Sequence, residues 1–162
     1  MTTLTDLSTG APSVVSARDG VVAVRSPVFF DELDALGVLH NARYAVHVER
    51  ALSAFYASHG GRWRPGDEAD PDQFIVVRAF DITFDAPVRS VGDLTIELWV
   101  DKLGRTSCTY GFRVCNADAT VTHARGSRTI VKVDPDTLRP ARWSDAAVAR
   151  HRPLLRSQEH DA

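Results

Sequence analysis

Residues 30–44 read Phe30-Asp31-Glu32-Leu33-Asp34-Ala35-Leu36-Gly37-Val38-Leu39-His40-Asn41-Ala42-Arg43-Tyr44. Three acids, a glycine and a histidine stand here between two segments of different period. Before them, residues 21–30 alternate, with Val22, Val24, Val28 and Phe30 on one face, as in a strand. Pro27 makes this an edge strand or marks a bulge. After them, Tyr44, Val48, Ala51, Leu52 and Phe55 recur at helical spacing. The helix is predicted over 41–58, about 25 Å long, capped by Asn41 and stopped by Gly60. The quoted stretch is therefore a strand-to-helix junction.

Working outward, residues 1–19 lack periodicity and read as a loose tail. Beyond the helix, the loop 60–73 is full of Gly, Pro and acid, and it is placed at the mouth of any pocket. Four strands follow. Residues 74–84 carry Phe74, Val76, Phe80, Ile82 and Phe84 in phase. Residues 94–100 carry Leu94, Ile96, Leu98 and Val100, and residues 108–114 carry Cys108, Tyr110, Phe112 and Val114. Residues 121–133 form a long strand with a bulge expected at Gly126. A short helix is predicted over 144–155. The domain spans 20–157, and 158–162 is a second tail. Short connections make the last four strands antiparallel neighbours, and one helix covers one face of their sheet. Ile75, Val77 and Trp99 fall out of phase with the helix-facing set, so a second apolar face is expected to meet another subunit.

The chain of 162 residues is one domain's length, with 44% apolar and 25% charged residues and a formal charge of -2. That balance lacks the basic surplus of a nucleic-acid binder. No apolar run approaches the roughly 20 residues of a membrane helix, and residues 1–20 lack a signal peptide's basic start and apolar core. Cys108 and Cys115 have opposite parity in one strand and point to opposite faces, so no internal bridge is expected, and a reducing cytoplasm fits.

GxSxG, HExxH, P-loop, GxGxxG and paired CxxC signatures are absent. Acid before a helix start is favoured by the helix dipole, and a solvated cap is the plain reading of Asp31, Glu32 and Asp34. Their spacing with His40 matches no metal loop, so no metal is expected. An Asp34–His40 pair has the types for acid–base chemistry, while a lone histidine there also reads as a cap. His47 and Glu49 read as helix surface or interface. Arg78 interrupts an apolar phase, as an ion pair with Asp or Glu would.

The segment 32–44, with Glu32, Asp34, Gly37, Asn41 and Tyr44 in register, resembles the signature of the 4-hydroxybenzoyl-CoA thioesterase-like family of hotdog-fold proteins. Similar strings follow at 49–51 (ERA), 86–93 (APVRSVGD), 103–107 (LGRTS) and 124–126 (ARG). Two departures stand out: Glu-Leu-Asp replaces Asp-x-Asp, and Val38 stands where a histidine often follows the glycine. The resemblance implies an α+β hotdog fold, a five-stranded antiparallel sheet wrapped around one long helix. It also implies a homodimer at least, and a homotetramer, with sites at the subunit interface. The implied reaction is hydrolysis of an acyl thioester on coenzyme A or acyl carrier protein, with no cofactor beyond the substrate's own coenzyme. Asp34 aligns with the catalytic carboxylate, as nucleophile or general base, and the Asn41 backbone N–H with the oxyanion donor. Gly37, His40, Tyr44, Val48, Arg78 and Phe80 are candidate substrate contacts. Arg89, Lys102, Arg105 and Arg128 are candidates for the coenzyme's phosphates. A hotdog hydratase or dehydratase using Asp34 and His40, and a non-catalytic acyl-binding protein, remain as alternatives.

Overall fold

The computed structural model describes residues 10–62 and 70–156. The tail 158–162 and half of the Gly/Pro-rich loop, 63–69, lie outside the described residues, as do residues 1–9 of the N-terminal tail. In chain order the elements are β1 (Ser13–Arg18), β2 (Val21–Val28), α1 (Asn41–Ser58), β3 (Ile75–Phe84), β4 (Gly92–Leu103), β5 (Ser107–Asn116), β6 (Thr122–Lys132) and α2 (Asp145–His151). The strands form one antiparallel sheet in the order β1-β2-β4-β5-β6-β3.

The sheet has six strands where five were expected. The additional one, β1, lies inside the expected tail and pairs Val14 with Val24 and Arg18 with Val21. Asp19 and Gly20 both have positive φ, 51° and 75°. That is the conformation a two-residue hairpin of type I′ demands and Asp-Gly supplies. With β1 on one side and β4 on the other, β2 is not an edge strand. Pro27 stands beyond the last β1 pair, at Ser13–Arg25, where β2 has a neighbour on one side only.

The helix follows its predicted bounds. Tyr44, Val48, Ala51 and Phe55 form a buried stripe against Val24, Ile96, Leu98, Val100, Phe112 and Val114. Burying large apolar side chains such as Val48 and Phe55 contributes about 1.5–3 kcal/mol each and holds α1 on the sheet. Two expectations on the helix change. His40, not Asn41, is the N-cap, its ring nitrogen accepting the Ala42 N–H. His47, expected at the helix surface or an interface, is fully buried within the chain.

At the far edge β3 departs from strict alternation. Its pairing with β6 slips between Val77 and Ala79, so Arg78 is the extra residue of a bulge. That is why a charge breaks the apolar phase; Arg78 is exposed and makes no ion pair among the described residues. Gly126, by contrast, sits in regular register. A Cβ there would overlap the Asp81 carbonyl oxygen and come within 2.9 Å of the Phe112 ring, so close approach explains the glycine, not a bulge. Phe30 leaves its strand for a short 3-10 turn and is exposed. Of the expected second apolar face, Ile75 and Val77 stay exposed on β3. Trp99 is covered within the chain by the Arg156 guanidinium, 3.8 Å from its ring centre. Cys108 and Cys115 are free and buried.

Candidate active site

The junction is built by two devices. The first is a tight loop. Leu33 and Leu39 bridge, Asp34 N–H donates to the Val38 carbonyl at 2.8 Å, and Gly37 N–H returns to the Asp34 carbonyl at 2.9 Å. Gly37 has φ 70°, which a side chain would disfavour. Asp34 Oδ1 accepts the N–H groups of Leu36 at 2.8 Å and Val38 at 3.3 Å. One carboxylate oxygen thus fixes the loop, and Oδ2 has no partner among the described residues. The loop is tied to its neighbours by Leu39 N–H on the Val88 carbonyl and His40 N–H on the Glu32 carbonyl.

The second device is Glu32, which is 2% exposed. Its Oε2 accepts the Phe29 N–H at 2.9 Å, and its Oε1 accepts Arg50 Nη1 at 3.1 Å. His47 Nε2 stands 3.6 Å away, and His47 Nδ1 bonds Ser26 Oγ at 2.7 Å. Burial holds the His47 imidazole below its ordinary pKa, against the opposing pull of Glu32; Arg50 and Arg43 add to the depression. His47 is therefore read as neutral, and its contact with Glu32 is not a full ion pair. Of the three acids, Glu32 pins the junction to α1, Asp34 shapes the loop with one oxygen free, and Asp31 is exposed.

At the helix start Ala42 N–H is met by His40 and Asn41 side chains, and Arg43 N–H by the His40 carbonyl. Asn41 N–H has no partner among the described residues. A free N–H at a helix start, with no acid in the first turn, is a donor aimed by the helix dipole.

The other candidates separate. Tyr44 is buried with its ring edge against Phe84, at 5.1 Å between centres. Val48 is in the core, and Phe80 stacks on Phe112 at 5.5 Å. Arg89 is exposed and follows Val88, so its loop abuts the junction. The β2–β4 register sets Val28 opposite Gly92, which places Lys102 and Arg105 at the opposite end of the sheet from Asp34. Within one chain these two cannot share a rim with it. Arg128 is not on a rim at all; its side chain is 7% exposed.

A cavity of about 480 Å³ lies along the second half of α1, lined by residues including Glu49, Leu52, Phe55, Ile75, Tyr110 and Arg128, and closed by α2. Asp34 and Asn41 do not line it. Glu49 is eight residues along the helix from Asn41, about 12 Å of rise. The α2 wall is satisfied internally: Tyr110 O–H donates to His151 Nε2, and His151 Nδ1 donates to the Ala147 carbonyl. Burial lowers the His151 pKa. Asp72, also lining the cavity, takes Lys132 Nζ at 2.7 Å and both donors of Ser144; these bonds outweigh its burial and lower its pKa. No local sequence signal marks this cavity, because its walls come from α1, β3, β5, β6 and α2. Among the described residues no cluster of His, Cys, Asp and Glu fits a metal ion. No helix among them is long and apolar enough to cross a membrane.

Residues 36–123 match the family described as the Thioesterase superfamily. Among curated proteins none matches the sequence. Solved structures with the same fold include a Pseudomonas aeruginosa protein at 18% identity, covering 83% of this chain and 92% of that one, with a TM-score of 0.72. A 1,4-dihydroxy-2-naphthoyl-CoA thioesterase from Synechocystis is 13% identical, covers 83% and 97%, and has a TM-score of 0.71. A DHNA-CoA thioesterase from Staphylococcus aureus is 19% identical, covers 75% and 80%, and has a TM-score of 0.65. At these identities the likeness is one of fold.

Proposed function

The chain belongs to the thioesterase superfamily, and from that premise we propose that it hydrolyses an acyl thioester carried on coenzyme A or acyl carrier protein. The observation that carries the reading is the junction: a carboxylate with one free oxygen, Asp34 Oδ2, in the loop leading to a helix start with an unoccupied N–H at Asn41. The matched stretch begins two residues after Asp34, so the role of Asp34 rests on this geometry and on the sequence resemblance.

The chemistry balances with one water. Acting as base, Asp34 takes a proton from water while the hydroxide oxygen adds to the thioester carbonyl carbon. The oxyanion so formed is held by the Asn41 N–H, a donor whose loss typically costs about 2.7–4 kcal/mol of transition-state stabilisation. The C–S bond then breaks, and the thiolate leaves and takes the proton. Acting as nucleophile, Asp34 forms an acyl anhydride as the thiolate leaves, and water hydrolyses it. Coenzyme A is part of the substrate, and neither route requires a metal.

The edge strand β3 completes the reading. Its outer side has no paired strand among the described residues, and Ile75, Val76 and Val77 are 43–50% exposed. An exposed apolar edge invites a second strand. Twofold pairing of β3 with its copy makes the strands antiparallel and sets the two α1 helices antiparallel. The helix start of one subunit then approaches the cavity end of the other, so the dimer unites Asp34 with an acyl pocket. The test is free-thiol release from a panel of aliphatic and aromatic acyl-CoAs, with Asp34→Asn beside the wild type. A fall of at least about a hundredfold is expected for loss of a general acid–base or nucleophilic group; equal rates would remove Asp34 from the mechanism.

A further inference from the structure

Among the described residues, most of the buried polar side chains around the cavity are paired within the chain, and two buried nitrogens are not. Tyr110 and His151 bond each other, Asp72 is held by Lys132 and Ser144, and Tyr56 donates to Asp70 beneath the Arg150 guanidinium. Trp143 Nε1, buried, has no hydrogen-bond partner among the described residues. Arg128 is the larger anomaly. A guanidinium has five N–H donors, yet Nε is buried with no partner among the described residues. Among the described residues its one ion-pair contact is Glu49 Oε1 at 3.5 Å, long for a charge-assisted bond, and the Glu49 side chain is 66% exposed to solvent while that of Arg128 is 7% exposed. A buried charge this poorly compensated is costly unless something else pairs with it.

Leu52, Phe55, Ile75 and Ile130 give the same space an apolar lining. Its volume falls within the range of about 300–1,000 Å³ common for small-molecule sites. A largely apolar lining with one buried, under-paired guanidinium, the partly exposed Arg150 lying over the Tyr56 ring, fits an apolar body bearing an anionic oxygen group. Arginine reads a carboxylate with two parallel N–H donors, which a point charge does not.

We infer that this cavity binds an apolar carboxylate, with Arg128 as the group that recognises its charge. On the hydrolase reading the ligand is the acyl group itself. Its carboxylate is then either a second carboxyl at the far end of a thioester-linked diacid or the carboxyl released by hydrolysis. Glu49 competes for the same guanidinium and sets how tightly the ligand is held.

Calorimetric titration of the full chain tests this without any turnover. Octanoate is expected to bind at least tenfold more tightly than octanol. Arg128→Lys, which keeps the charge and loses the fork, should erase most of that preference. Because a change at a buried arginine can unfold the protein, Glu49→Gln at an exposed carboxylate is the second variant, and it should tighten octanoate several-fold. Equal binding of octanoate and octanol, or an octanoate affinity untouched by both substitutions, overturns the inference. Thiol release from octanoyl-CoA and from the mono-CoA thioester of a diacid of similar length then separates the two sources. A lower KM for the diacid thioester that disappears in Arg128→Lys marks a substrate carboxyl. Equal KM values with octanoate as a competitive inhibitor mark the product. Octanoate binding without any thioester hydrolysis would leave the site standing and remove the hydrolase reading; hydrolysis with no carboxylate preference would do the reverse.

Discussion

Replacing Glu32 with glutamine should destabilise the protein while leaving every atom of the proposed chemistry in place. The carboxylate is 2% exposed and accepts two N–H donors, Phe29 at 2.9 Å and Arg50 at 3.1 Å. A hydrogen bond to a charged group contributes about 1.5–3 kcal/mol. The Phe29 bond is shielded and takes the upper part of that range, whereas the Arg50 side chain is 36% exposed, so water screens its share to about 0.5–1 kcal/mol. The amide keeps one acceptor and turns two hydrogens toward donors, giving a total loss of about 3 kcal/mol. For a chain of this size that lowers Tm by about 6–12 °C. The assay is urea and thermal unfolding followed by circular dichroism, with Asp31→Asn and Asp34→Asn as companions. Asp31 is exposed, and asparagine at 34 retains the Oδ1 acceptor of the loop, so both should stay within about 0.5 kcal/mol of wild type. A Glu32→Gln protein as stable as wild type would refute the claim that this acid pins the junction.

Further consequences are open to measurement. His47 and His151 are held neutral by burial, with pKa values depressed below the ordinary 6.5. The unfolded chain therefore binds more protons than the folded one below about pH 6.5, and stability falls as pH falls through that window, by up to about 1.4 kcal/mol per histidine and pH unit; urea midpoints equal at pH 7.5 and 5.5 would contradict this. Gly126→Ala should yield little soluble protein, because its Cβ would overlap the Asp81 carbonyl; a Tm within 2–3 °C of wild type, about 1 kcal/mol, would show that the strands can part. Val77→Lys on the exposed edge of β3 should shift the expected dimer to monomer in light scattering and reduce thiol release with it, and an unchanged mass would place any association elsewhere.

The long helix and the strands β4 and β5 could be read from periodicity, since Tyr44, Val48, Ala51 and Phe55 bury one stripe and Leu94, Ile96, Leu98 and Val100, like Cys108, Tyr110, Phe112 and Val114, are buried at every second position; the place of β3 beside β6 rather than β4 could not. The first strand was legible in principle. Its Asp19-Gly20 turn is a hairpin signal, but the Ser- and Ala-containing segment before it has no alternation to support a strand. Arg78 misled because a bulge changes the parity of β3, which no local pattern announces. In the junction, the cap, the glycine and the acids were visible as types, but not their division of labour. Only the fold brings His47 and Ser26 up to Glu32, and only β6 carries Arg128 beneath α1. Burial of a charged side chain by distant elements has no signature in linear spacing.

Thiol release from acyl-CoAs by the wild type and by Asp34→Asn, measured on proteins shown to have the same Tm, tests the role of the junction most directly. Turnover by the wild type on at least one acyl-CoA and a loss of at least about a hundredfold in the variant are expected. Undiminished turnover by Asp34→Asn would exclude Asp34 from the chemistry.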